Sequence, residues 1–203
     1  MPPLQRNIDV NSPATVGSAI WLGTIGVLSF IVQPGLVQGF VTELGLDEVA
    51  ANDLAFTEMI GVAAATVAMA FLGRRISWRA LVATALGLAA VGNLASGLLD
   101  DPTAFRAARF VTGLGEGGLI SLSFSVIGLT ARTERNLAFY LVLLLSYGAV
   151  GLWIMPRAFD AIGLDGIFYV WAALTAASFA TVRHLPASVE SRDAPSPTAT
   201  SVG

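Results

Sequence analysis

The chain contains no cysteine and a single histidine, His184. Without cysteine there is neither a disulfide nor an iron–sulfur cluster held by thiolates, and one histidine leaves most zinc sites without their ligands. Lysine is absent too, since all 11 basic residues are arginine. We therefore expect no metal site and no cofactor in this protein.

Charge is also scarce. Charged residues make up 12% of the 203 residues, whereas a soluble domain has about 25%. Hydrophobic residues reach 55% and the mean hydropathy is +0.72. This composition is typical of an integral membrane protein. The lipid bilayer is therefore an expected partner, and nucleic acid is not.

Six apolar segments stand out along the chain. A helix needs about 20 apolar residues to cross a bilayer, and the segments that approach or exceed this length are 15–41, 53–73, 78–99, 104–130, 136–158 and 164–184. None alternates as barrel strands do. The sequence predicts an all-α polytopic membrane protein with a six-helix transmembrane domain over 15–185. A cytoplasmic segment, 1–14, precedes it, and a disordered cytoplasmic tail rich in Pro, Ser and Thr, 186–203, follows.

The arginines set the predicted orientation. Arg74, Arg75 and Arg79 flank the second connection, and Arg132 and Arg135 lie in the fourth, whereas the first connection has no basic residue. Connections rich in arginine remain in the cytoplasm. We therefore expect a multi-pass protein of the cell (inner) membrane with both termini in the cytoplasm.

The stretch 105–118 places charges inside the fourth segment. Such ions are costly in hydrocarbon and usually mark a functional site. On a helix, Arg109, Gly113, Glu116 and Ser123 share one face, which must point into a bundle or a wet cavity. The alternative is a structural ion pair with no role in transport.

Polar residues of other segments extend this candidate site. Gln33 and Gln38 flank a proline–glycine bend in the first segment, and they either face a polar path through a flexible gate or bond to a neighbouring helix. Glu58 is either a proton or cation site or a side chain that reaches the outer headgroup region. Asn93 is expected to form a hydrogen bond between helices.

Two motifs suggest other functions and are set aside. Gly113-x-Gly115-x-x-Gly118 matches a dinucleotide-binding fingerprint, but no strand precedes it. Instead, Gly113 and Gly117 are expected to form a helix-packing face.

An intramembrane serine protease is the enzyme to consider, since Ser121, Ser123 and Ser125 lie on the fourth segment and His184 ends the sixth. No Gly-x-Ser-Gly surrounds these serines, and His184 is expected near the opposite interface, too far to act as their base. We expect no enzymatic activity.

Taken together, six helices, cytoplasmic termini, an arginine cluster after the second helix and Arg109-x-x-x-Gly113-x-Gly115 resemble the N-terminal half of a major facilitator superfamily transporter. The resemblance covers about 15–185. It implies that Arg109 lies near a central cavity and helps with substrate or proton coupling. The loop containing Arg74, Arg75 and Arg79 occupies the place of the family's loop motif, although Gly73 stands where aspartate is usual. The fifth segment lacks the antiporter signature, so drug–proton antiport is not favoured.

The resulting expectation is secondary active transport of a small solute by alternating access. The solute would bind near the midplane against Arg109, Glu116 and polar groups of the first segment. Arg109 would suit an anionic solute or hold Glu116 ionised, and Glu116 could carry a coupling proton. Because full members have two six-helix halves, we expect either a truncated half or a parallel homodimer. The competing interpretation is a non-transporting membrane assembly partner or fragment with structural polar residues.

Overall fold

The computed structural model describes residues 8–187. Within this range all regular structure is helical, which confirms the all-α prediction. The helices are α1 (Pro13–Ile25), α2 (Gln33–Glu43), α3 (Glu48–Leu72), α4 (Trp78–Ser96), α5 (Pro102–Gly128), α6 (Thr133–Ala177) and a 3-10 helix (Ser178–His184). Residues 1–7 of the predicted segment 1–14 and residues 188–203 of the predicted tail 186–203 lie outside the described residues.

Four helices begin at a residue that caps them. The side chains of Ser12, Asp47, Ser77 and Asp101 accept hydrogen bonds from the backbone amides three residues later, at 3.2, 2.8, 3.3 and 2.7 Å. Such caps satisfy amides that have no partner inside the helix. The helix starts are therefore set by the local sequence.

Helices long and apolar enough to cross a membrane are present. Four runs qualify within the described chain: α3, α4, α5 and the continuous run Thr133–His184. Their outward faces carry large apolar side chains, including Phe71 at 70% exposure and Leu145 at 62%. Such faces are typical of contact with lipid. The prediction of a membrane protein is confirmed at this level.

The first predicted segment, 15–41, differs from expectation. It is divided into α1 and α2 by a turn at residues 26–32, so its two helices have only 13 and 11 residues. Pro34 is the second residue of α2, and a proline cannot supply the amide that would continue an incoming helix. The chain nevertheless keeps its direction. Tyr147 donates its hydroxyl to the carbonyl of Leu28 at 2.8 Å, and Phe159, twelve residues further along α6, packs against Gly39.

The fifth and sixth predicted segments join in one helical run that reverses at Gly163, where φ is 69° and ψ is 178°. Before this residue α6 runs parallel to α1 and α2. After it, Trp21 donates to Ser178 at 2.9 Å and Thr15 to the carbonyl of His184 at 2.9 Å, so the chain returns antiparallel. The bundle therefore has a proximal end, with Asn11, residues 73–77 and His184, and a distal end, with Gly45 and Gly163.

Replacing Gly163 by alanine is expected to lower the free energy of unfolding by about 1–3 kcal/mol, because this backbone region is essentially restricted to glycine. Nothing lies within 4 Å of an added Cβ, so the cost is conformational and not steric. The measurement is unfolding of the purified protein in mixed micelles with a denaturing detergent. Gly17→Ala, also in open space but at negative φ, is the control. Equal stability of the two variants would contradict the prediction.

Candidate functional site

Helix α5 lies at the centre of the bundle, packed against α3, α4 and α1. The residues predicted to share one face are all buried: Arg109 is 0% exposed, Glu116 1% and Ser123 4%, and Gly113 is buried as well. This face points into the protein, as the cost of ions in hydrocarbon requires.

Glycines allow α3 and α5 to approach to backbone contact. A Cβ added at Gly113 would collide with the carbonyl of Glu58, and one at Gly117 would collide with the carbonyl of Val62. On the α3 side of the same contact, a Cβ added at Gly61 would collide with the backbone of Phe110 on α5. The small residues thus bring the side chain of Glu58 within reach of Arg109.

Arg109 forms an ion pair with Glu58. Its Nη2 donates to Oε1 of Glu58, and the two side chains are 0% and 2% exposed. Its Nη1 donates to Oδ1 of Asn93 at 3.1 Å and lies 3.4 Å from Oγ of Ser96. Its Cζ stands 4.9 Å from the ring centre of Phe168. The expected interhelical bond of Asn93 is confirmed.

Ser29 links this ion pair to Glu116. Its Oγ lies 2.6 Å from Oε1 of Glu58 and 2.6 Å from Oε1 of Glu116. The other carboxyl oxygen of Glu116 and Nε of Arg109 are buried without a hydrogen-bond partner in the described part of the chain. We call Ser29, Glu58, Asn93, Arg109 and Glu116 the central cluster.

The geometry corrects the expectation that Arg109 would hold Glu116 directly. The partner of Arg109 is Glu58, and Glu116 joins through Ser29. Arg109 and Glu116 are seven residues apart on one helix, which is about 10 Å along its axis, whereas Glu58 faces Arg109 from α3.

The interpretation of Glu58 as a side chain that reaches the headgroup region is also wrong in this structure. Helix α3 starts at Glu48, not at 53, so Glu58 lies ten residues from the helix start. That places it about 15 Å along the helix. Its 2% exposure agrees with a position inside the bundle.

The glutamines of the first segment lie outside the central cluster. Gln33 is half-buried and Gln38 is exposed, both on α2. The structure thus brings together Glu58, Arg109 and Glu116 and leaves out the two glutamines. Ser29 was missed by the sequence analysis, because one serine in an apolar run usually bonds to its own helix. The sequence signal that could have identified Ser29 is its position shortly before Pro34, where the chain makes a turn.

A cavity of about 400 Å³ opens at the distal end. Its lining includes the buried residues Leu54, Ser96 and Phe105, each one helical turn from a member of the central cluster. Ser96 in particular approaches Arg109. The rim carries charged residues, namely Glu43, Asp100, Asp165 and Arg106. The cavity therefore leads from the surface toward the guanidinium of Arg109.

The arginines of the second connection lie at the proximal end, far from this cavity. Arg74 and Arg75 are exposed. Arg79 donates from Nε to the carbonyl of Leu185 at 2.7 Å, and the amide of Trp78 donates to the carbonyl of Ala187 at 2.8 Å. The start of α4 therefore holds residues 185–187 against the bundle.

Fold and site together define an all-helical bundle with helices suited to a membrane and a buried cluster of charges at its centre. No family model matches this sequence, and neither does any curated protein.

Proposed function

We propose that this bundle belongs to a secondary active transporter that moves a small solute by alternating access. The observation that carries the proposal is that a fully buried Arg109, enclosed in apolar helices, is separated from the distal cavity by Ser96. Intramembrane ions next to a water-accessible cavity are typical of substrate and ion pathways.

The packing supports six membrane crossings in this proposal. Helices α1 and α2 keep one direction and together traverse the bundle once. Helix α6 and the 3-10 helix traverse it twice because of the reversal at Gly163. With α3, α4 and α5 this gives six. The arginine-bearing connections 73–79 and 129–135 lie at the proximal end, which agrees with both termini in the cytoplasm of a cell (inner) membrane.

Arg109 is the residue that we propose as the binding group for an anionic solute. Its Nε has no partner in the described part of the chain. Besides its hydrogen bond to Asn93 at 3.1 Å, Nη1 makes two long contacts, to Ser96 and Thr112 at 3.4 and 3.5 Å. A carboxylate entering past Ser96 would replace these weak partners with charge-assisted hydrogen bonds, which are stronger. Glu58 competes with the solute for the same guanidinium. Binding and release of the solute therefore depend on the exchange of the two carboxylates at Arg109.

Alternating access requires a second unit against which this bundle moves. Transporters of the resembled superfamily bind substrate between two six-helix halves related by an axis along the membrane normal. We propose that a second copy in parallel orientation, or a separate six-helix half, supplies that unit. Cross-linking in membranes and native mass measurement test this part, and a strictly monomeric protein that transports would contradict it.

The transport proposal is tested by uptake into vesicles reconstituted with the full chain, using a panel of small anionic and neutral solutes with and without a proton gradient. We expect Arg109→Ala and Glu116→Gln to lower the initial uptake rate by about tenfold or more, since each tenfold corresponds to about 1.4 kcal/mol and a charge-assisted bond contributes at least that much. The matched controls are Arg135→Ala and Glu134→Gln, both exposed at the start of α6 and away from the distal cavity. Uptake of no solute, or equal rates in all variants, would contradict the proposal.

The competing function is a non-transporting assembly partner in which the central cluster is structural. The observation in its favour is that the protein itself supplies partners to both members of the Arg109–Glu58 pair, Asn93 to Arg109 and Ser29 to Glu58. In that case the Arg109 and Glu116 variants lose stability, the parent protein takes up no solute, and another membrane protein co-purifies with it.

A further inference from the structure

The two hydrogen bonds of Ser29 indicate how many protons the two neighbouring carboxyl groups hold. Its Oγ lies 2.6 Å from a carboxyl oxygen of Glu58 and 2.6 Å from one of Glu116, and both distances are those of O–H···O hydrogen bonds. A hydroxyl has one hydrogen, so Ser29 can donate to only one of the two carboxyl groups. The other contact needs a hydrogen from the carboxyl itself. One of the two carboxyl groups is therefore protonated in this arrangement.

The surroundings assign that proton to Glu116. Glu58 contacts the guanidinium of Arg109, which selects the ionised form of Glu58. Glu116 has no cationic partner in contact, and its Oε2 is buried without a hydrogen bond among the described residues. Ionisation would place negative charge on a buried oxygen that no donor of the described chain contacts, at a large cost. The arrangement is thus Glu116–O–H to Ser29 Oγ, and Ser29 O–H to Glu58.

Charge balance leads to the same assignment. The groups that face the cluster are Glu58 from α3, the neutral Asn93 from α4, Arg109 and Glu116 from α5, and the phenol of Tyr147 from α6, whose hydroxyl is engaged with the carbonyl of Leu28. With one proton on Glu116 the sum of these charges is zero. Without it, the bundle would enclose a net negative charge that has no counter-ion.

We propose that Glu58, Ser29 and Glu116 form a proton-binding site that holds one proton, on Glu116, at neutral pH, with Ser29 as the bridge for proton movement to Glu58. In that movement Glu116 gives its proton to Ser29 Oγ while Ser29 gives its own to Oε1 of Glu58. No bond other than these O–H bonds changes. Glu58 becomes neutral, and Arg109 loses its counter-charge.

The consequence for transport rests on the function proposed above. Arg109 without its counter-charge is free to bind an anionic solute, and a second proton taken up by Glu116 restores a net charge of zero with the anion bound. One monovalent anion would thus travel with one proton. Uptake should respond to a pH gradient and not to the membrane potential.

The proton site is tested by infrared spectroscopy of the purified full chain in vesicles, which requires no transport. Exposed carboxyl groups are ionised at neutral pH, so a protonated carboxyl C=O band that shifts in D₂O reports a buried acid. We expect such a band in the parent, its loss in Glu116→Gln, and no change in the exposed control Glu134→Gln. Ser29→Ala should keep the band and move it to higher frequency, because the acceptor of the carboxyl proton is lost.

Two conservative variants identify the carboxyl that carries the proton. Glu116→Asp should move the band, whereas Glu58→Asp should leave its frequency nearly unchanged. The absence of a band in the parent, a band that survives Glu116→Gln, or a band moved only by Glu58→Asp would overturn the proposal. If the band is present and no solute is transported, the proposed function fails and the proton site stands. If solute is taken up and the band is absent, the proton site fails and the proposed function stands.

Discussion

Replacing Arg109 by alanine is expected to lower the free energy of unfolding by about 3–5 kcal/mol, the range for removing one partner of a buried ion pair. The variant leaves Glu58 without a counter-charge and Asn93 without its donor, and it removes the guanidinium beside the ring of Phe168. Unfolding by denaturing detergent in mixed micelles measures the loss.

Arg106→Ala is the matched control, since Arg106 is exposed on the same helix, and such surface changes usually stay within about 0.5 kcal/mol. Adding Glu58→Gln to Arg109→Ala should recover part of the stability, because it removes the uncompensated charge. If Arg109→Ala unfolds like Arg106→Ala, or if the second substitution lowers stability further, the ion pair does not stabilise the bundle.

Alanine at Gly113 or at Gly117 is expected to destabilise the bundle by about 1–3 kcal/mol each, the usual cost of excess volume in a packed interior. The added methyl group would meet backbone carbonyls of α3, those of Glu58 and Val62, and backbone cannot move aside as a flexible side chain can. The two helices would have to separate, and this would also pull Glu58 from Arg109.

Gly87→Ala tests whether the effect comes from the contact. Gly87 lies within α4 with nothing within 4 Å of an added Cβ, so alanine there should stabilise by up to about 1 kcal/mol through helix propensity. The same detergent titration compares the three variants. A Gly113→Ala protein as stable as Gly87→Ala would contradict the close packing of α3 and α5.

The sequence predicted the helical segments and their order because length and hydropathy depend only on local composition. It also predicted that Arg109 and Glu116 lie on a buried face, because charged side chains avoid lipid whichever helices are their neighbours. It could not predict that Glu58 is the partner of Arg109. That depends on the register between α3 and α5, which the glycines fix through backbone contact.

The turn at residues 26–32 was also beyond prediction from the sequence, although its cause is local. Pro34 and Gly35 predict a bend within one helix, but the same two residues are equally compatible with a break between two helices. Packing decides between a bend and a break. Residues 22–29 are all buried, so the neighbouring helices cover the irregular backbone and make a break tolerable.

That irregular stretch restricts how the protein can move. In residues 26–32 the amides of Val27 and Leu28 reach carbonyls only three residues back, at 3.2 and 3.3 Å, and the carbonyl of Leu28 accepts a hydrogen bond from the hydroxyl of Tyr147. Polar backbone of this kind is tolerated at membrane depth only where protein covers it. If α1 and α2 moved sideways away from α5 and α6 in a membrane, these peptide groups would face lipid without hydrogen-bond partners. Motions that keep α1 and α2 packed against α5 and α6 are therefore favoured, and under the proposed transport function a solute would enter at an end of the bundle and not between these helices from the lipid.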